Sequence, residues 1–346
     1  MSIEKKSPAS SSTDEKILLS HGAGGKLTQE LIEKVFFKAF ANPILVRAED
    51  SAIVSPKGSS LAFTTDSYVV SPLFFPGGDI GRLAVCGTVN DLAMMGATPL
   101  FLGISFILEE GLSMEVLKKI TESAAAAARE ASVQIVCGDT KVVGKGAADE
   151  TFVTTCGLGA VPPGVEISAA NARPGDKIIL SGTLGDHEIA ILSAREGLPF
   201  SGDISSDCAP LNQAVAAMLE RTRAVHVLRD PTRGGLATTL NEIANRSKVA
   251  LEIQEAAIPI SEEVREACEI LGFDPLYLAN EGKLVAFVGP EGAAQALEGL
   301  RSVPCGKQAE IIGVVTESRA RVTLVTTVGG RRTIDVPVGT QLPRIC

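Results

Sequence analysis

Positive charge is scarce in this sequence: 32 lysines and arginines face 41 aspartates and glutamates, a formal net charge of −9. That balance excludes a basic field for a nucleic-acid backbone or an anionic membrane surface, so neither is expected as a partner. Nucleotides stay open, because backbone amides and a metal ion hold phosphates locally. The seven cysteines, at 86, 137, 156, 208, 268, 305 and 346, include no C-x-x-C pair and have no histidine partner nearby. A structural zinc cluster is therefore not expected. The first 16 residues are polar and contain nothing like a signal peptide. With an odd cysteine count, this points to reduced thiols in a soluble, cytoplasmic protein. No G-x-S-x-G elbow occurs, and three scattered histidines outline no triad. The longest uncharged run, 92–108, is interrupted by Gly96, Thr98-Pro99 and Gly103. It reads as a helix end, a turn and a buried strand, not as a membrane span.

What is present is a globular balance, 45% hydrophobic and 21% charged over 346 residues, enough for two packed domains. Residues 1–16 form a Ser/Lys/Glu-rich tail expected to be disordered. A first domain is expected over 17–165. Its strand-like runs are 44–47, 61–65, 100–107, 134–137 and 151–158, with helices near 28–41, 79–95 and 113–131. A Pro/Gly-rich joint runs from Val161-Pro162-Pro163-Gly164 to Arg173-Pro174-Gly175-Asp176. A second α/β domain follows over 174–336, opening with a strand at 177–181 and closing with a hairpin at 319–336 that turns at Gly329-Gly330. Residues 337–346 carry two prolines and a glycine without periodicity, a mobile tail ending in Cys346. Alternating strands and helices indicate a mixed α/β (α+β) fold.

Aspartates recur at the edges of these elements: Asp50, Asp66, Asp91 and Asp139. Asp66 and Asp139 sit just beyond apolar strands, where α/β sheets contact ligands. Magnesium takes hard oxygen ligands, shared between a few carboxylates and nucleotide phosphates, so the four suit Mg-ATP. The competing reading is that each caps a helix or closes a turn. The loop His21-Gly22-Ala23-Gly24-Gly25-Lys26 either wraps phosphates or serves as a hinge. It is not a Walker A loop, having Ser20 where that pattern requires Gly and Leu27 where it requires Ser or Thr. Gly144-Lys145 fails the same test. Asp230-Pro231-Thr232-Arg233-Gly234-Gly235 reads either as a helix start capped by Asp230 or as an anion site offering Arg233. Lys141 and Glu281, taken singly, are as consistent with solvated surface as with a site. Cys346 is different, because packing does not readily explain a cysteine at that end. Ten extended residues span about 33 Å, enough to carry a thiol to a partner and back into a cleft.

Taken together, these motifs resemble the HypE family of hydrogenase maturation factors. The resemblance is carried by His21-Gly22-x-Gly24-Gly25, Thr65-Asp66-Ser67-Tyr68-Val69-Val70, Pro72-Leu73-Phe74-Phe75-Pro76-Gly77-Gly78 and Cys137-Gly138-Asp139-Thr140-Lys141-Val142-Val143. It continues through Asp230-Pro231-Thr232-Arg233-Gly234-Gly235, Ala279-Asn280-Glu281-Gly282-Lys283-Leu284-Val285 and the terminal Pro343-Arg344-Ile345-Cys346. The aspartates and glycines are shared with a wider superfamily containing aminoimidazole ribonucleotide synthetase, selenophosphate synthetase and thiamine monophosphate kinase. The resemblance implies that superfamily's two-domain fold, with first domains pairing in a homodimer. It also implies an ATP-dependent carbamoyl dehydratase that turns a carbamoyl group on Cys346 into a thiocyanate, and it names the partners. These are a HypF-type carbamoyltransferase and a HypC-HypD-type complex that passes cyanide to the iron of [NiFe] hydrogenase. The implied site comprises Cys346, Lys141 and Glu281 for catalysis. Asp66, Asp91, Asp139, Thr140, Gly24, Gly25 and Arg233 would hold ATP, and Asp50, Asp66, Asp91 and Asp139 would hold Mg²⁺. One departure stands out: the family usually continues Gly-Asp-His with Gly, whereas Gly185-Asp186-His187 is followed here by Glu188. A selenophosphate synthetase would place a reactive cysteine just before the first glycine loop, but Leu18-Leu19-Ser20-His21 stands there. A small-molecule kinase has no use for a terminal thiol. A silent nucleotide-binding scaffold would bind ATP without turning over a carbamoylated tail.

Overall fold

The structure, a computed structural model, describes residues 25–37, 42–55, 60–197, 204–317, 319–337 and 342–346. The expected N-terminal tail and Gly24 lie outside these residues.

In the first half, β1 (Ala52–Val54), β2 (Leu61–Tyr68), β5 (Thr98–Glu109), β6 (Gln134–Val143) and β7 (Thr151–Ala160) form one sheet. Their order is β1-β2-β7-β5-β6, and only the β5–β6 pair is parallel. A small ribbon of β3 (Phe74–Phe75) and β4 (Gly78–Asp79) leads into the first long helix. The period of two is plain in β2, where Ala62, Thr64 and Tyr68 are buried while Phe63, Thr65 and Ser67 are exposed. Helices α2 (Ile80–Met94) and α3 (Met114–Glu130) belong to the same half; α1 (Lys26–Leu31) precedes it. Asp79 caps α2 by accepting the Gly81 and Arg82 amides at 2.7 and 3.2 Å. Buried Ile120, Ala124, Ala127 and Ala128 line one face of α3 at helical spacing and share an apolar cluster with α2. The opposite sheet face is open, leaving Phe63, Phe101 and Ile107 exposed.

In the second half, β8 (Lys177–Leu180), β9 (Val225–Arg229), β10 (Ala250–Gln254), β11 (Val285–Val288), β12 (Glu310–Thr316), β13 (Arg321–Val325) and β14 (Arg331–Ile334) make a seven-stranded sheet. The order is β14-β13-β10-β12-β8-β11-β9. Around it lie α4 (Asp186–Glu196), α5 (Asn212–Arg221), α6 (Gly235–Ser247), α7 (Glu262–Leu271) and α8 (Ala293–Arg301). The expected terminal hairpin is β13–β14, with Gly329 at positive φ in its turn.

Helix α2 is buried nearly all round because it packs into both halves. Its Ala93 and Met94 join Ile179, Leu211 and Met218, whereas its Leu83 and Cys86 join Ile191, Cys208 and Ala279. Asn90 fastens the seam: its Nδ2 donates to the carbonyls of Ala209 and Glu281 at 3.1 and 3.0 Å, and its Oδ1 accepts the Leu211 amide at 2.7 Å. Among the described residues, no helix is long and apolar enough to cross a membrane.

Two local expectations change. The strand expected at 44–47 is a 3-10 turn, Leu45–Arg47, because Asn42 Oδ1 accepts the Ile44 and Leu45 amides at 3.0 Å and folds the chain away from extension. The helix expected over 28–41 begins at Lys26 and widens into a π-helix at Ile32–Phe37; 38–41 lie outside the described residues.

Candidate active site

Three carboxylates converge at the seam. Asp50 precedes β1, Asp91 lies near the C-terminal end of α2, and Asp230 lies in the loop between β9 and α6. One oxygen from each falls within 4.8 Å of the others. Thr64 of β2 donates to Asp91 Oδ2 at 2.8 Å and to the Asp50 carbonyl at 3.2 Å. Arg229 Nη1 lies 2.5 Å from Asp50 Oδ1, and Arg229 also pairs with Glu242. Asp50 Oδ2 is buried without a hydrogen-bond partner. Burial first, and the neighbouring acids second, push Asp91 well above the usual carboxylate range. Asp50 is also pushed well up by burial, against the pull of Arg229. Asp230 is raised to about 6 by burial. A set of hard oxygens short of positive charge, with one lone oxygen, fits a divalent cation.

None of Asp50, Asp66 and Asp91 caps a helix, which removes the capping half of the competing reading for these three. Asp66 Oδ2 accepts from Thr88 of α2 at 3.1 Å and is raised by burial. Asp230 does not cap a helix either: α6 begins five residues later, behind Gly234. Its carboxylate joins the acid cluster instead, which corrects the helix-start reading.

Asp139, Thr140 and Lys141 are placed elsewhere. They lie on β6, the exposed edge of the first sheet, where Lys141 Nζ pairs with Asp139 Oδ2 at 2.5 Å. From β2 to β6 is three strand spacings, about 14 Å. Register also separates them. Asp66 aligns with Thr155, Ile104 and Gly138, so Asp139 shares the alternate row with Ser105, Thr154 and Ser67. Asp66 therefore faces α2, while Asp139 and Lys141 belong to the open face. Within one chain, Asp139, Thr140 and Lys141 are not brought to Asp50, Asp66 and Asp91.

The C-terminal segment is inside the cleft. The Val69 amide donates to Cys346 O at 3.1 Å and the Ser71 amide to Arg344 O at 3.2 Å, extending the end of β2. Ile345 is buried in the cluster holding Tyr68, Phe75, Ile191 and Ala279, and burying an isoleucine side chain is worth about 2 kcal/mol. Burial pushes the Cys346 thiol up to about 12, against the pull of Arg233 and with Glu281, Asp66 and Glu188 acting in the same upward sense. Arg233 is itself raised, chiefly by Cys346. Half-buried Cys346 thus lies within electrostatic reach of Arg233, Glu281 and Asp66.

Glu281 is buried, and burial followed by Asp207 and Asp230 pushes it well above the ordinary glutamate value. Its loop is held on three sides. The Glu281 amide donates to Asp207 at 3.1 Å. Asn280 binds the Pro231 carbonyl at 2.8 Å and accepts the Gly185 amide at 2.9 Å. At Gly282 the backbone of Asp207 approaches so closely that a Cβ would sit 1.8 Å from its carbonyl oxygen, which only glycine permits. Beyond it Lys283 pairs with Asp207 at 3.0 Å and lies 3.8 Å from Asp186. Lys283 holds Asp207 below the usual range despite burial.

A cavity of about 850 Å³ opens beside the acid cluster, lined by Gln29, Glu49, Ser51, Thr64, Thr65 and Arg229 among others. That is the size of a small-molecule site. Gly25 lies at the base of the C-terminal segment, where a Cβ would meet the Pro337 carbonyl at 2.6 Å. Sequence reasoning missed Asp230 as a third acid, and the Lys283–Asp207 pair. Lys283 had a signal in its motif with Glu281; Asp207, in an irregular stretch, had none.

Two packed α/β halves with an acidic cleft between them define the class, and the comparisons agree. The AIR synthase related protein N-terminal domain matches residues 48–161, and the corresponding C-terminal domain matches 173–325. Carbamoyl dehydratase HypE of Cupriavidus necator is 54% identical over 333 residues, covering 96% of this chain and 95% of that protein. A crystal structure of a HypE-HypF complex contains a chain 51% identical, with a TM-score of 0.86 over 89% of this chain and 99% of that one. HypE in complex with ATP is 49% identical, with a TM-score of 0.81 over 96% and 100%. The chain has the AIR synthase related architecture. It belongs to the HypE family of carbamoyl dehydratases.

Proposed function

We propose that this chain dehydrates an S-carbamoyl group on its own Cys346 to a thiocyanate, using ATP, and so supplies cyanide for the iron of a [NiFe] hydrogenase. The observation that carries the reading is the pairing of the C-terminal segment with the end of β2, which brings a half-buried Cys346 within electrostatic reach of Arg233, Asp66 and buried Glu281. The chemistry balances in two steps. The carbamoyl oxygen attacks the γ-phosphorus, ADP leaves, and one N–H proton is lost. Loss of the second N–H proton then forms C≡N as the C–O bond breaks and phosphate departs.

Once ionised, Glu281 is suited to take a proton, because desolvation gives its carboxylate a high proton affinity. Arg233, within electrostatic reach of Cys346 and Asp66, would steady anionic charge. Asp50, Asp91 and Asp230 would hold Mg²⁺, which neutralises phosphate charge when bound. The cavity next to them is where the nucleotide would lie. The open sheet face supports a homodimer. Pairing of two such faces is the route by which Asp139, Thr140 and Lys141 would serve a site at all. The HypE-HypF complex of a relative supports a HypF-type carbamoyltransferase as the donor, with a HypC-HypD-type complex as the acceptor of cyanide.

The test is mass spectrometry of the C-terminal peptide after incubation with a carbamoyl-donor system. A carbamoyl adduct on Cys346 that loses one water only with ATP is expected, and in Glu281→Gln the adduct should persist without losing water. An unmodified tail in a competent system overturns the reading. An adduct that never loses water indicates a nucleotide-binding scaffold.

A further inference from the structure

Helix α4 grips the C-terminal segment through its backbone. Arg195, the penultimate residue of the helix, donates from Nε and Nη2 to the Ser71 carbonyl at 2.9 and 2.7 Å. The same guanidinium donates to the Pro343 carbonyl at 2.9 Å and the Arg344 carbonyl at 2.8 Å. It therefore ties the wall of the cleft and two successive residues of the tail together. Near the start of α4, His187 is fully buried, with Nε2 2.7 Å from the Ile345 carbonyl and Nδ1 2.7 Å from Ser206 Oγ. A carbonyl only accepts, so Nε2 carries the proton and Ser206 donates to Nδ1. Phase along the helix explains the pairing: 187 and 195 are eight residues apart and lie within about 80° of each other on it. At the rim, Arg344 Nε donates to the Val69 carbonyl at 2.8 Å and its Nη1 pairs with Asp149.

Three consecutive tail carbonyls, those of residues 343, 344 and 345, are thus taken by two side chains of one helix. Backbone contacts of this kind hold the segment whatever group the sulfur carries. We propose that Arg195 and His187 form a clamp that sets how long the C-terminal segment stays in the cleft, acting as positioning residues for the reaction at Cys346. The clamp rests on the proposed function for its purpose, though not for its existence. The docked Cys346 is half-buried, so its reaction with an outside reagent is faster once the segment is released. Arg195 makes the largest number of contacts across the gap and is the principal member. Lysine, a point donor without the planar fork, replaces only part of it.

The experiment is timed alkylation of the folded full-length protein with iodoacetamide, without ATP or partners, read for each cysteine by peptide mass spectrometry. Arg195→Met should label Cys346 roughly tenfold faster than the unsubstituted chain, with Arg195→Lys between the two. Buried Cys86 and Cys208 should stay slow, which reports an intact fold. Should Arg195→Met disturb folding, Arg344→Met removes the rim contacts from the tail side, where no core packing is lost, and should quicken labelling roughly threefold. Unchanged Cys346 labelling in both Arg195→Met and Arg344→Met overturns the clamp. With ATP and a carbamoyl donor, Arg195→Met should slow water loss from the adduct more than it slows adduct formation. If the unsubstituted chain loses no water, the dehydration reading fails, while the labelling comparison still decides the clamp.

Discussion

Glu188 occupies a position where the family pattern usually has glycine, and the structure gives that carboxyl a specific task. It is buried on α4, and its Oε2 accepts the Ala279 amide at 2.6 Å, two residues before Glu281. Burial raises it from 4.5 to about 7, against the Ala279 hydrogen bond and Arg195. The folded chain therefore holds a proton that the unfolded chain has released. Stability falls as pH rises from about 4.5 to about 7 and levels off above that. Glutamine keeps the acceptor for Ala279 and carries no charge. Glu188→Gln should gain stability relative to the native chain across that window, reaching about 3 kcal/mol above it, as read by denaturant unfolding at several pH values. A difference that does not change with pH would show that Glu188 stays ionised. Cys346 is shifted the same way: burial pushes the docked thiol up to about 12, which makes it a poor nucleophile where it sits.

At the scale of elements, the first sheet matters most because its two faces have different fates. Helices α2 and α3 cover one; Phe63, Phe101 and Ile107 stand exposed on the other, an arrangement that pairing with a second copy would bury. Phe101→Glu should convert a dimer to a monomer by light scattering while leaving the circular dichroism spectrum unchanged; a dimer that persists places the interface elsewhere. This face also marks the limit of reading the sequence. Strand periodicity and turn residues are local, so β2, β5, β7, α2 and α3 were legible within a few residues. The acid cluster was half legible. Asp50 and Asp91 announced themselves as carboxylates at element edges, but Asp230 looked like a helix cap until α6 proved to start at Gly235. Asp66 and Asp139 lie within β2 and β6, not just beyond strands as expected, and only strand order and register reveal that Asp139 and Lys141 face away from Asp66. The docked tail was legible as a possibility of reach, whereas its clamp was not, since Arg195 and His187 meet residues about 150 positions away.

At the scale of the whole molecule, α2 makes the two halves one body. Asn90 satisfies three backbone groups across the seam, and alanine there would strand all of them in a dry site. Asn90→Ala should cost about 3 kcal/mol by chemical denaturation and loosen Glu281, whose carbonyl it holds. A cost near zero would mean that water replaces the side chain. A helix bonded and packed into both halves leaves little room for them to swing apart like jaws. Traffic through the enclosure then falls to a single thread of chain: loading and unloading would be matters of a segment sliding out past a fixed rim, and the pace of exchange would follow that segment's own unzipping.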